Sequence, residues 1–263
     1  MSIAHSFALS AFGCNIRATA GSPETLALLD RNIFPPIPRV TTGAFEPDLD
    51  LRAAETANGH QLSVNGAVIA SALSANGLLL HVLHVLDETV VRHLDSLRAI
   101  HAGAVLWQGR VLLFPGSTHS GKSSLTAELL RRGAQCMSDE YALVDPDGRV
   151  HPYPRPLLLR DSDGLQTPTL PSELNATFAQ APAPAAWIFT LQYDPGASWS
   201  IDPVPQSVAL IGLLRNTPHA LADVPDMAPA FQRLVAGAVC YQGHRPNAAE
   251  AAEQILDLIA KAS

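Results

Sequence analysis

Residues 3–20 alternate apolar and polar positions on either side of Gly13. That period of two is the pattern of two short strands joined by a tight turn. Ser22-Pro23-Glu24 follows. It combines a hydroxyl cap, a proline at the first helical position and an acid at the positive end of the helix dipole. A helix therefore starts there and runs to about residue 34, where Pro35-Pro36-Ile37-Pro38 withdraws backbone donors and stops it. Strand-like runs at 49–56, 60–64 and 67–71 are separated by Asn58-Gly59 and Asn65-Gly66, dipeptides suited to hairpin loops. These elements predict a small, mostly β lobe of α+β type over residues 1–72.

The period then changes. Leu79, Val82, Leu83, Leu86, Val90 and Leu94 recur at helical spacing and predict a long helix over 75–100. Strands at 102–107 and 110–114 flank a Gln108-Gly109 turn. A helix over 122–132 carries Leu125, Leu129 and Leu130 on its apolar face and closes at Gly133. Short strands are expected at 135–137, 141–144 and 156–159, with 186–193 and 198–202 forming a later pair. Three helices, at 206–215, 228–240 and 248–261, end the sequence. The Pro-rich stretches 167–171 and 181–184 read as loops. Strands alternating with helices make residues 73–263 an α/β domain.

Composition narrows the function classes. The 263 residues are 47% hydrophobic, and 16% are charged against an average near 25%. A core of full size needs no covalent staples at this length. The net charge of −7 comes with no basic stripe, which argues against a surface that tracks nucleic-acid phosphates. Cys14, Cys136 and Cys240 are odd in number and far apart, so they make neither a metal cluster nor a disulfide framework. The longest apolar run, 77–86, is about half of the ~20 residues that a membrane span requires. Ala18-Thr19-Ala20 mimics a cleavage site and Ala11-Phe12-Gly13-Cys14 a lipidation box, but no positive segment precedes them. A cytoplasmic protein without membrane or nucleic-acid partners is expected. His81 and His84 are three apart on the 75–100 helix, the spacing of a metal pair. No further ligands accompany them, and ordinary helix histidines explain them as well.

Only Lys122 and Lys261 among the 17 basic residues are lysines. Lys122 falls in Gly116-Ser117-Thr118-His119-Ser120-Gly121-Lys122-Ser123, which fits G-x-x-x-x-G-K-[ST] at every fixed position. Two glycines let the backbone wrap so that successive N–H groups face phosphate oxygens. The helix N-terminus adds partial positive charge. Lys122 reaches the β- and γ-phosphates of ATP, and the Ser123 hydroxyl ligates Mg²⁺. Accidental matches occur in roughly one chain in a thousand of this composition. Ser117, Thr118, His119, Ser120 and Ser124 complete the candidate nucleotide-binding set, although His119 and Ser124 also suit solvent-facing positions. Such a loop works with an acid that holds Mg²⁺ or accepts a hydroxyl proton. Asp139-Glu140, 17 residues after Lys122, is favoured over Asp194, which precedes Pro195-Gly196 and reads as a turn. Arg155 and Arg160 suit an anion clamp or the surface equally.

In order and spacing, residues 98–160 resemble the HPr kinase/phosphorylase family and the related kinases of peptide-modification gene clusters. His101 with Gly103 opens a strand, the Walker A loop follows, and Asp139-Glu140 sits in Met-Ser-Asp-Glu-Tyr-Ala-Leu-Val. The resemblance implies a P-loop kinase core of the HPr kinase/phosphoenolpyruvate carboxykinase type, with a small N-terminal lobe and C-terminal helices. It implies Asp139 as the base toward a serine hydroxyl, Glu140 as a metal or network acid, and His101 near the phosphate. The family usually has Asp-Asp where this sequence has Asp-Glu, and its Glu-x-Arg-Gly segment is not recognisable here. The expected activity is ATP- and Mg²⁺-dependent phosphorylation of a hydroxyl, on serine of a peptide or small protein. A small hydroxyl compound as acceptor, or a nucleotide-binding regulatory module without transfer, stays open. A homo-oligomer is an expectation carried over from the family.

Overall fold

The computed structural model describes residues 5–34, 37–40, 46–117, 120–218 and 220–262, of which 220–225 and 262 are described by backbone alone. The chain divides into two compact units, residues 1–95 with 160–169, and residues 96–159 with 170–263.

In the first unit, β1 (His5–Ala11) and β2 (Cys14–Ala20) form the expected hairpin. Phe12 and Gly13 both have positive φ, the geometry of a two-residue loop whose twist matches the strands. Ser22 caps α1 (Pro23–Ile33) by accepting from the Thr25 N–H at 3.1 Å. The two-residue β3 (Arg39–Val40) pairs with β1, and β4 (Leu49–Thr56), β5 (Gly59–Val64) and β6 (Ala67–Leu73) form a meander. The sheet order is β3-β1-β2-β4-β5-β6, with β2 and β4 parallel. Cys14, Ile16, Ala18 and Ala20 face the core on alternate positions of β2, as do Leu49, Leu51 and Ala53 on β4.

The long helix ends early. It is α2 (Ala75–Arg92), capped by His93, and residue 98 already belongs to β7 (Arg98–Trp107). Leu94 continues the helical spacing, but residues 98–101 pair backbone to backbone with residues 141–144, and that ladder outweighs local periodicity. Because α2 packs on β4, β5 and β6, it belongs to the first unit, and the expected division at 72/73 falls inside that unit.

The second unit continues with β8 (Arg110–Pro115), α3 (Lys122–Arg131), β9 (Gln135–Ser138), β10 (Tyr141–Val144), β11 (Arg149–His151) and β12 (Leu157–Arg160). After β13 (Gln166–Thr169), which lies in the first unit, come β14 (Ala183–Tyr193), β15 (Ser200–Pro203), α4 (Gln206–Arg215) and α5 (Ala220–Ala236). The last elements are β16 (Val239–Arg245) and α6 (Ala248–Ala262). Three sequence expectations need correction. Residues 167–169 and 183–184, expected as loop, are strand. The last-but-one helix is Ala220–Ala236, so residues 239–245 are a strand instead of a helix end. That strand is inserted between β14 and β15, which therefore do not pair with each other.

The main sheet runs β11-β10-β7-β8-β14-β16-β15, with β8, β14 and β16 parallel. Since β11 also pairs with β14, the strands β7, β8, β14, β11 and β10 close on themselves. Alternation along β8 supplies two cores. Val111 and Leu113 pack with Phe231 and Leu234 of α5, while Leu112 and Phe114 pack with Leu125 and Leu129 of α3 and Ile255 of α6. The class is mixed α/β. Among the described residues no helix is long and apolar enough to cross a membrane.

The Ser22 hydroxyl both caps α1 and bonds Glu55 of β4, and this pair with Thr25 holds the Glu55 carboxyl below its ordinary range. Ser22→Ala is expected to cost the first unit about 1 kcal/mol through the lost cap, read as faster native-state hydrogen exchange of α1 amides with exchange in the second unit unchanged.

Candidate phosphate-transfer site

The loop of residues 116–121 leaves the carboxyl end of β8, the end of a parallel strand where ligands of α/β sheets gather. Gly116 N–H donates to His101 O at 3.3 Å, which ties the loop's start to β7. A Cβ on Gly116 would meet Ser120 Oγ at 2.7 Å, so the first glycine leaves room for the Ser120 side chain within the loop. Gly121 sits in the left-handed region at φ 78°, immediately before Lys122, and α3 begins there. Lys122 is 8% exposed, and its Nζ donates to Gly116 O and Ser117 O, both at 2.9 Å. Burial pushes its ammonium pKa down, with Glu140 and Asp139 opposing. Thr118 and His119 lie outside the described residues. Ser123 is half-buried and Ser124 exposed.

The acids arrive along β7. Both β9 and β10 run antiparallel along one edge of that strand, with Ser138 opposite Ala104 and Tyr141 opposite His101. Asp139-Glu140 is the kink between them, level with residues 102 and 103. On the other edge of β7, Ala102 lies opposite Pro115. One strand thus holds loop and acids at the same height, two strand spacings or about 10 Å apart. Gly103 completes the arrangement. A Cβ there would meet Thr126 Oγ1 at 2.7 Å, so glycine lets α3 settle against β7 without displacing that hydroxyl.

The two acids have opposite environments. Glu140 Oε1 lies 2.9 Å from His101 Nε2, and the two side chains are 31% and 19% exposed. Although burial opposes it, the His101 hydrogen bond and the charges of Arg155 and Lys122 hold the Glu140 carboxyl below its usual range. Asp139 is 1% exposed. Its Oδ2 accepts from Leu158 N–H at 3.2 Å, and its Oδ1 has no hydrogen-bond partner among the described residues. Burial raises the Asp139 pKa, against the pull of Arg155 and the nearby Ser123 hydroxyl. Arg155, a clamp candidate, is buried at the acid pair, 3.8 Å from Glu140 Oε2. Arg160 instead bonds Gly164 O in the first unit, and Asp194 Oδ1 accepts from Gly196 N–H within its own turn. His81 Nδ1 lies 2.8 Å from Gly77 O, and His84 pairs with Glu88.

Sequence reasoning missed Arg245. It ends β16, is 2% exposed, and reaches the loop with Nη2 donating to Ser120 O at 3.1 Å and Gly121 O at 2.9 Å. Its Nη1 donates to Pro246 O, and its guanidinium lies 4.9 Å from the centre of the Tyr193 ring. The available signal was Arg245-Pro246-Asn247, an extended residue before a proline and a helix cap.

A cation at this site would have an ionised Glu140 and the Ser123 hydroxyl as donors, with the buried Asp139 Oδ1, which has no hydrogen-bond partner among the described residues, left beside them. Among the described residues no three His, Cys, Asp or Glu side chains could hold a metal by themselves. That donor set suits Mg²⁺, which commonly binds one or two carboxylates and completes its shell with phosphate oxygens and water.

No family model and no curated protein matches the sequence. The solved structure of an Hpr(Ser) kinase/phosphatase from Coxiella burnetii is similar over 62% of this chain and 95% of that one, at 14% identity and a TM-score of 0.37. A likeness of that size is distant and fixes neither family nor activity.

The buried Asp139 carboxyl makes a testable demand on stability. Its folded pKa lies above the unfolded value of 3.8, so folding favours the protonated form. Wild type has its full share of stability from this group below pH 3.8 and loses it as pH rises through the folded value. Without Mg²⁺, Asp139→Asn should therefore unfold at higher denaturant concentration than wild type at pH 7. The gap should close as the pH approaches 3.8. Urea titrations across that range, followed by the Trp107, Trp187 and Trp199 fluorescence of the second unit, measure it.

Proposed function

We propose that the second unit binds ATP with Mg²⁺ and transfers the γ-phosphoryl group to a hydroxyl, on serine of a peptide or small protein. The observation that carries this reading is the shared height of the Lys122 loop and the Asp139-Glu140 kink on opposite edges of β7. The order of His101, loop and acid pair is that of the HPr-kinase-type enzymes, which is why a serine hydroxyl is the acceptor class.

Loop amides and the start of α3 hold the polyphosphate, and Lys122 turns from the Gly116 and Ser117 carbonyls toward phosphate oxygens. Ser123 and Glu140 are the side chains that would hold Mg²⁺, which when bound neutralises charge on the phosphates. Asp139 accepts the hydroxyl proton through Oδ1, the oxygen without a partner, while Leu158 N–H fixes the other oxygen. His101 holds Glu140 in place. Catalysis of this kind is mostly positioning and electrostatics, so each group can be removed without loss of the fold.

Transfer of labelled phosphate from ATP to serine peptides encoded beside the gene, and to a panel of small alcohols, tests the reading. Lys122→Ala should lower transfer by about a hundredfold or more. Asp139→Asn should bind ATP as wild type does and lose transfer to a similar degree. Transfer to the alcohols alone would make the protein a small-molecule kinase. Nucleotide binding without transfer to any acceptor would make it a regulatory module. Full transfer by Asp139→Asn together with loss in Glu140→Gln would exchange the roles of the two acids.

A further inference from the structure

Arg245 holds a full positive charge behind the loop, and among the described residues no carboxylate pairs with it. The charges of the acid pair are met locally, by His101, Arg155 and Lys122. The polar partners of Arg245 are three carbonyl oxygens, of Pro246, Ser120 and Gly121, and the neighbouring ring of Tyr193. A buried guanidinium without a carboxylate carries a desolvation cost that carbonyl dipoles only partly offset. Such a charge is retained where something anionic arrives.

The contacts also shape the loop. Two donor bonds from one nitrogen turn the Ser120 and Gly121 carbonyls toward β16. In a peptide unit the N–H points opposite to the C=O, so the N–H groups that follow face away from β16, at the start of α3. A Cβ on Gly121 would collide with Arg245 Nη2, so any side chain here would displace the guanidinium from the loop, and the φ of 78° favours glycine independently.

We infer that Arg245 is a positioning residue for polyphosphate. It clamps the Ser120 and Gly121 carbonyls so that the loop amides are set for phosphate before the ligand arrives. It also supplies, from behind the loop, the positive charge that the ligand's negative charge completes. This inference rests on the nucleotide-binding reading above.

Arg245→Met keeps the apolar stem and removes both clamp and charge. Arg245→Lys keeps the charge and one donor group but not the planar fork. The probes are Mg²⁺·ATP, followed with a fluorescent ATP analogue, and inorganic tripolyphosphate, followed by the rise in melting temperature that it produces. In the full chain, Arg245→Met should weaken both ligands by about tenfold or more and by the same factor, because the lost contacts serve phosphate and not the base. Arg245→Lys should recover part of that loss. The melting temperature without ligand is the control. A residue that merely holds the fold would lower it and leave the ligand-induced rise intact, and that result overturns the inference. Equal affinity of wild type and Arg245→Met for both probes also overturns it, while leaving nucleotide binding standing. A wild-type chain that binds neither probe overturns both readings.

Discussion

Strand β7 has a neighbour on each edge at the level of residues 101–104, and the chemistry of the second unit depends on that level. The hairpin to β8 puts the Lys122 loop on one side, and the kink between β9 and β10 puts the acids on the other. A side chain at residue 103 would meet the Thr126 hydroxyl of α3, the helix that begins at Lys122. The missing Cβ of Gly103 thus lets that helix lie against β7 with the hydroxyl undisturbed. The five strands that close on themselves around β7 keep its edges from moving apart.

Charge is arranged in two layers around this level. In front, Lys122 and Arg155 face Asp139 and Glu140, and His101 adds a hydrogen bond to Glu140. That layer is nearly neutral, which lets an acid sit 1% exposed. Behind the loop, the partners of Arg245 among the described residues are carbonyl oxygens and an aromatic ring. The excess charge lies where loop amides and a helix N-terminus already favour anions. Burial therefore weakens Asp139 as an acid while strengthening the rear cation's influence, since both act through low dielectric.

Local signals made part of this legible. The loop, the helix at Lys122 and the Gln108-Gly109 turn are short-range features, and Gln108 and Gly109 both take the positive φ that such a turn demands. Ser22 as a cap and Asn65-Gly66 as a turn belong to the same kind. What escaped were pairings between distant segments. In β16, Val239 and Tyr241 alternate with Cys240 and Gln242, a weak pattern that turns into a strand only because β14 lies parallel beside it and β15 antiparallel on the other edge. The overextended helix after residue 92 failed for the same reason, because its continuation was claimed by β10. Arg245 was invisible because its partners are backbone carbonyls 124 and 125 residues away, and no side-chain pattern marks a carbonyl.

The scarcity of lysine sharpens the contrast between the two cations. Lys122 lies inside the loop, where a compact ammonium with three donors can rest on two carbonyls at 2.9 Å and rotate toward a phosphate without rebuilding the loop. A guanidinium there would be too large and too rigid to exchange partners. Arg245 has the opposite task. It must not move, and its planar fork spans three carbonyls from two separate segments while its charge stays fixed at any working pH. In a sequence whose basic residues are otherwise nearly all arginine, one lysine stands where the cation has to change partners, and arginine stands where it has to hold them.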